Sequence, residues 1–193
     1  MFKIVPFNKD LNLDDFYKEA KIRGFLNNVS EHHIIGCFAT EREKQAWILF
    51  YKNSPVGTVS AHSFDDVMGK NSYRIAARTC VLTDKLVDIS YGKGLRGISV
   101  ITKHQNPTAQ FLIPACINWA PKDAKLYITS NTNEAGTQKK VHNIFGPALQ
   151  RLKIMNPVRE VVYRGTKQTV WSFDQSLFLE QINKYKRWEY EKI

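Results

Sequence analysis

Three strand-forming runs follow one another closely in the first half of the chain, and that succession leaves few folds open. Ala46-Trp-Ile-Leu-Phe-Tyr51 consists of strand formers, Lys52-Asn-Ser-Pro55 is turn chemistry, and Val56-Gly-Thr-Val-Ser-Ala-His62 is a second run. Phe64-Asp-Asp-Val-Met-Gly-Lys-Asn71 reads as a loop, and Tyr73-Arg-Ile-Ala-Ala-Arg-Thr-Cys-Val-Leu82 as a third strand. Strands adjacent in sequence tend to be adjacent in space, so an antiparallel meander is expected. Ahead of it, Phe2-Lys-Ile-Val-Pro-Phe7 can form a short strand. Asn12 can cap a helix whose first turn carries Asp14 and Asp15. A second short helix is expected through Thr40-Glu-Arg-Glu-Lys44, where Thr40 and Glu43 have capping-box spacing.

The pattern changes after Asp84. The stretch from Gln105 to Ala120 looks helical, with Pro107 in its first turn and Pro114 expected to kink or divide it. Leu126-Tyr-Ile-Thr129 is a short strand. Residues 139–152 are amphipathic, with Val141, Phe145, Ala148, Leu149 and Leu152 on one stripe and Gly146-Pro147 as a local defect. Val158-Arg-Glu-Val-Val-Tyr163 and Gln168-Thr-Val-Trp-Ser-Phe173 are joined by Arg-Gly-Thr-Lys and predict a hairpin. Asp174 or Ser176 caps a last helix spanning about residues 175–192, which is expected to pack Phe178, Ile182, Tyr185 and Trp188 onto the sheet.

The chain has 193 residues, of which 43% are hydrophobic and 24% charged. One domain, residues 1–193, is expected, and it can bury a core without disulfides or metals. No run approaches the roughly 18 apolar residues of a membrane span. The opening residues lack the apolar core of a signal peptide, so a cytoplasmic protein that avoids membranes is expected. Cys37, Cys80 and Cys116 show neither zinc spacing nor a disulfide framework, and read as buried free thiols. His32 and His33 are adjacent and diverge in either a strand or a helix, so no metal site is expected. The formal net charge is +10. No Asp or Glu occurs between Asp88 and Asp123 or between Glu134 and Glu160. Such a balance favours anionic partners: nucleic acid, an acidic protein or a polyphosphate cofactor.

The order strand, helices, three meander strands, loop, helix, strand, helix, closing hairpin resembles the GNAT superfamily of acyl-CoA-dependent acyltransferases over most of the chain. Two local segments add to the likeness. Asn131-Thr-Asn-Glu-Ala135 resembles the Asn-containing segment after the fifth strand of that family. Val162-Tyr-Arg-Gly-Thr-Lys-Gln-Thr-Val-Trp171 resembles the closing hairpin of many microbial members. The resemblance implies an α/β fold with a mixed, mostly antiparallel central sheet, helices on both faces, and a splay between the third meander strand, after Leu82, and the strand at 126–129. It implies an acyl-CoA-dependent N-acyltransferase using acetyl-CoA or another acyl-CoA, acting on an amine acceptor. The basic charge suits an anionic acceptor, such as nucleic acid or another polyanion. Two further functions stay open: nucleobase modification, as some phage enzymes with this fold perform, and a non-catalytic nucleic-acid-binding module.

The same resemblance assigns residues. Backbone groups at Cys80, Val81 and Leu82 would hold the thioester carbonyl. The pyrophosphate loop falls on Gln105, Asn106, Thr108, Ala109 and Gln110, with Lys103 just before it. Both of the family's loop glycines are missing here, and Pro107 removes a donor. Asn131 and Asn133 join the cofactor side. His62 and Glu134 are candidate bases, since an amine must lose a proton to attack. The helix at 139–152 contains no Tyr where the family places its general acid. Proton return to the thiolate therefore falls to Tyr127, His142, Tyr163 or water. Arg78 shares a strand face with Ala76 and Cys80, and either lies on an exposed face or orients an anionic group. Lys139 and Lys140 are candidate contacts to an anionic acceptor.

Overall fold

Strict alternation decides how the first strands pack. In β2 (Lys44–Tyr51), Trp47 and Leu49 turn to one side while Ala46 and Ile48 turn to the other, and all four are buried. A strand with two apolar faces belongs inside a sheet covered on both sides. The computed structural model describes residues 2–8, 10–22, 44–76, 108–130, 146–163 and 165–184. Within them, β2 lies between β1 (Phe2–Pro6) and β3 (Ser54–Ser63), antiparallel to both. The β2–β3 turn places Lys52 and Asn53 at φ 48° and 66°, the left-handed pair that a tight hairpin uses. β4 (Ser72–Ala76) continues the antiparallel meander.

The remaining strands are β5 (Lys125–Ser130), β6 (Met155–Tyr163) and β7 (Thr166–Phe173). They complete a seven-stranded sheet in the order β1-β2-β3-β4-β5-β7-β6. β4 and β5 pair in parallel, and every other neighbouring pair is antiparallel. The mixed, mostly antiparallel sheet expected from the sequence is therefore present. The expected splay after Leu82 lies outside the described residues, but the β4–β5 ladder already ends at Arg74↔Tyr127, while β5 runs on to Ser130 beside β7.

Helices cover both faces. On one face lie a π-helical turn (Thr108–Leu112), α3 (Ile113–Trp119), α4 (Gly146–Arg151) and α5 (Gln175–Lys184). Phe111, Leu112, Cys116, Leu149, Phe178 and Ile182 from these elements join Leu49, Ile75, Leu126 and Trp171 in the main core. On the other face, α1 (Asp14–Ile22) sets Leu13 and Phe16 against Ala46 and Ile48. The short α2 (Asp65–Met68) brings Val67 and Met68 to a cluster of Phe64, Tyr127, Tyr163 and Val170.

Local chemistry explains most boundaries. The Asp14 N–H donates to Asn12 Oδ1 at 3.0 Å as α1 begins, and the Leu177 N–H donates to Asp174 Oδ1 at 2.9 Å as α5 begins. Asp174 is thus the cap, rather than Ser176. Pro114 divides its helix as expected: it removes the N–H an α-helix would donate to Gln110, and the π-helical turn gives way to α3 at that point. Gly165, at φ 74°, makes the β6–β7 turn in a conformation that an L side chain strains.

Two expectations are corrected. The loop at 64–71 contains α2, because Asp65 and Asp66 suit a first turn and the Gly69 N–H closes it on the Asp65 carbonyl at 3.0 Å. Lys44, expected at the end of a helix, starts β2 and pairs with His62; residues 40–43 lie outside the described residues, as do 139–145 and 185–193.

Phe178 is 1% exposed in the main core, whereas Val162 on the edge strand β6 is 78% exposed. Phe178→Ala should lower the unfolding free energy by about 3–5 kcal/mol. Val162→Thr should change it by no more than about 0.5 kcal/mol. Urea denaturation of the two variants checks the assignment of core and edge.

Candidate active site

One sheet face is apolar almost throughout. The other carries a buried polar layer: Thr58, Ser60 and His62 on β3, Ser72 and Arg74 on β4, Thr129 on β5 and Gln168 on β7. Alternation puts these side chains together, and the register makes neighbours of the central ones, since Arg74 pairs with His62 on one side and with Tyr127 on the other. Arg74 thus stands at the last rung of the parallel ladder among the described residues.

A guanidinium that is only 7% exposed must have its donors occupied. Arg74 Nε–H donates to Thr129 Oγ1 at 2.9 Å, and Nη1 lies 3.4 Å from His62 Nε2. The guanidinium carbon lies 5.2 Å from the centre of the Tyr163 ring. His62 is itself 3% exposed, with Nδ1 2.7 Å from the Ser63 carbonyl oxygen. That oxygen can only accept, so Nδ1 carries the proton and the Nε2 lone pair accepts from Arg74. Phe64 walls this group in, its ring centre 6.2 Å from that of His62, 6.2 Å from Tyr127 and 5.4 Å from Tyr163. Across the sheet, Trp171 Nε1–H donates to Ser130 Oγ at 2.8 Å and pins β5 to β7 beyond the end of the β4–β5 ladder.

Of the residues singled out in the sequence, the structure unites His62, Tyr127 and Tyr163 at this position. Gln110 is buried in the π-helical turn on the opposite side of the sheet; Thr108 and Ala109 belong to the same turn. Cys80, Val81, Leu82, Lys103, Gln105, Asn106, Asn131, Asn133, Glu134, Arg78, Lys139, Lys140 and His142 lie outside the described residues. Sequence reasoning passed over Arg74, Thr129 and Gln168. One signal was available: Arg74 shares the alternation of Arg78. Among the described residues, no group of three or more His, Cys, Asp or Glu side chains could hold a metal ion. Cys116 is buried in α3, and that burial pushes its thiol well above its ordinary pKa, which leaves it a core residue. No described helix is long and apolar enough to cross a membrane.

No protein-family model and no curated protein matches the chain. Solved structures do. Aminoglycoside acetyltransferase AAC(6')-Ib in complex with coenzyme A and kanamycin superposes with a TM-score of 0.55 at 12% identity, over 93% of this chain and 98% of that one. Aminoglycoside N-acetyltransferase AAC(6')-Ib11 gives 0.54 at 12% identity, over 92% and 99%. AAC(6')-Ib with paromomycin and acetyl-CoA gives 0.54 at 11% identity, over 92% and 96%. The chain therefore has the GNAT fold, at an identity that speaks for architecture alone.

Two outcomes follow from the site geometry. In wild-type protein at neutral pH, ¹⁵N NMR of the imidazole should show the Nδ1–H tautomer for His62. Arg74→Lys should lower the unfolding free energy by about 1–3 kcal/mol, because an ammonium lacks the guanidinium's spread of donors and cannot serve Thr129 and His62 together. In addition, iodoacetamide labelling mapped by peptide mass spectrometry should leave Cys116 unmodified until the protein is unfolded.

Proposed function

We propose that the chain is an acyl-CoA-dependent N-acyltransferase whose acceptor amine reaches the sheet where β4 and β5 part. The observation that carries this reading is the one parallel ladder among the described strands of an otherwise antiparallel sheet, whose last described rung, Arg74↔Tyr127, lies beside a buried polar group. Among the described residues no β4–β5 rung follows it, and we assign to the facing edge of β4 the backbone N–H groups that would meet an acyl carbonyl. Such donors act where negative charge develops on oxygen. Support for the donor comes from structural neighbours solved with coenzyme A or acetyl-CoA at 98% and 96% coverage of their own chains.

The acyl thioester supplies an activated carbonyl, and what this chain supplies is placement and proton control. Cys80, Val81 and Leu82, which follow β4 in sequence, are the residues we assign to the carbonyl. Lys103, Gln105, Asn106, Thr108, Ala109 and Gln110 are those we assign to the phosphates, with Asn131 and Asn133 after β5. An attacking amine must be neutral. The fixed positive charge of Arg74 disfavours an ammonium beside it and so favours the reactive form. His62 and Glu134 are the two groups proposed to take the amine proton; for His62 this requires Nε2 to exchange its contact with Arg74. Tyr127, Tyr163 and His142 are the groups proposed to return a proton to the departing thiolate.

The net charge of +10 supports an acceptor carried on an anionic molecule, with nucleic acid the first choice and Arg78, Lys139 and Lys140 as its contacts. Titration calorimetry with acetyl-CoA and longer acyl-CoAs should give saturable heat, and adding an amine should release free CoA thiol. Absence of heat up to about 1 mM, the top of the usual range of KM, would remove the acyltransferase reading. Lys139→Glu with Lys140→Glu should weaken DNA or RNA binding and flatten its salt dependence, with CoA affinity changed less. If mobility shifts at low salt show no binding by the wild-type chain, the acceptor is a small amine or a protein lysine. Nucleic-acid binding without any CoA heat would leave a binding module.

A further inference from the structure

Among the described residues, two buried side-chain polar atoms of this layer lack a hydrogen-bond partner, Ser72 Oγ and Gln168 Oε1. Gln168 is 8% exposed, and its Oε1 receives no hydrogen bond. The orientation of the amide is not arbitrary. Its nitrogen donates to the Tyr163 carbonyl at 3.2 Å and to Thr166 Oγ1 at 3.1 Å, while the Thr166 hydroxyl donates to the same Tyr163 carbonyl at 3.2 Å. A flipped amide would set oxygen against oxygen, because the Tyr163 carbonyl can only accept. Oε1 therefore points away from the β6–β7 turn and ends in a buried place without a donor. Buried acceptors are rarely left so, since the unmade bond is costly.

Position gives the vacancy its meaning. Val170 pairs with Thr129, and Gln168 is the next side chain on that face of β7, toward the open side of the β4–β5 ladder. The Tyr163 ring, whose backbone holds the Gln168 amide, is the ring stacked on Arg74. Ser72 Oγ, the other buried polar atom without a partner, sits at the opposite, closed end of the ladder, where Ser72 pairs with Lys125. A hydroxyl there can rotate, whereas the Gln168 amide is fixed by two bonds.

We infer that Gln168 is a specificity residue for the acceptor: its Oε1 receives an N–H from an uncharged group of the acceptor molecule, such as an amide or an aromatic amine. The nearby Arg74 charge disfavours an ammonium in that role. The role of the ligand rests on the acyltransferase reading; the binding of an N–H donor at Oε1 does not.

The experiment uses three primary amines with acetyl-CoA and the full chain: glycinamide, with an uncharged amide N–H; ethylenediamine, with a cationic donor; and n-propylamine, with neither. Wild-type protein should favour glycinamide over propylamine in kcat/KM by roughly 5- to 10-fold, the worth of one uncharged hydrogen bond. Gln168→Met should abolish that preference through the KM of glycinamide. Gln168→Glu should shift the preference to ethylenediamine. An equal preference in wild type and Gln168→Met, or none in wild type, overturns the inference. Should acetyl-CoA transfer to none of the amines, a small-amine acceptor is excluded, and the acyltransferase reading is judged by the CoA calorimetry. The side-chain amide resonance of Gln168 in ¹H–¹⁵N spectra, titrated with glycinamide, then decides: a saturable shift supports the inference, and an unmoved resonance rejects it.

Discussion

A buried guanidinium fixes the arrangement around the centre of the sheet. Arg74 reaches three other strands, with Thr129 of β5 accepting from Nε, His62 of β3 facing Nη1, and the Tyr163 ring of β6 centred 5.2 Å from the guanidinium carbon. Each of these contacts is needed because a charge at 7% exposure loses its water. Together they make the β4–β5 junction more than a backbone ladder. The two strands share only the rungs from Ser72↔Lys125 to Arg74↔Tyr127, and Arg74 ties them by side chain at the last of these. Beyond it, β5 is held by β7, through the ladder and through the Trp171–Ser130 hydrogen bond. Each of the two strands is thus anchored on its outer side, β4 by β3 and β5 by β7.

The same residue sets the electrostatics. Because Arg74 cannot give up its proton, it imposes a permanent positive charge on the polar layer. It also dictates that His62 presents a lone pair toward it, with the Nδ1 proton spent on the Ser63 carbonyl. A site of this kind disfavours cationic groups and accepts neutral donors, a preference that runs in the same direction as the charge of the whole chain. The opposite face packs Phe111, Leu112, Cys116 and Phe178 into the main core.

Most of the architecture was legible because alternation and turn residues are local signals. The β2–β3 hairpin, the closing β6–β7 hairpin with Gly165 at its turn, the division at Pro114 and the burial of Phe178 and Ile182 all come from such signals. The polar layer was not legible. Thr58, Ser60 and His62 alternate with Val59 and Ala61 in the pattern of a strand with one wet face, yet all three are at most 3% exposed. Alternation says which residues share a face; it does not say whether that face meets water. Arg74 and Gln168 escaped notice for the same reason, since their roles depend on cross-strand register: Arg74 opposite His62, and Gln168 one step past Val170↔Thr129. α2 was missed because its one turn, Asp65–Met68, is closed by backbone bonds to Phe64 and Asp65 rather than by a periodic apolar face.

A crystal structure of the chain grown with coenzyme A tests the account most directly. The pantetheine arm should enter between β4 and β5 past the Arg74↔Tyr127 rung, with its thiol end toward the face that carries His62, Arg74 and Tyr163. A closed β4–β5 ladder continuing to Ser130, or coenzyme A bound elsewhere on the sheet, would contradict it.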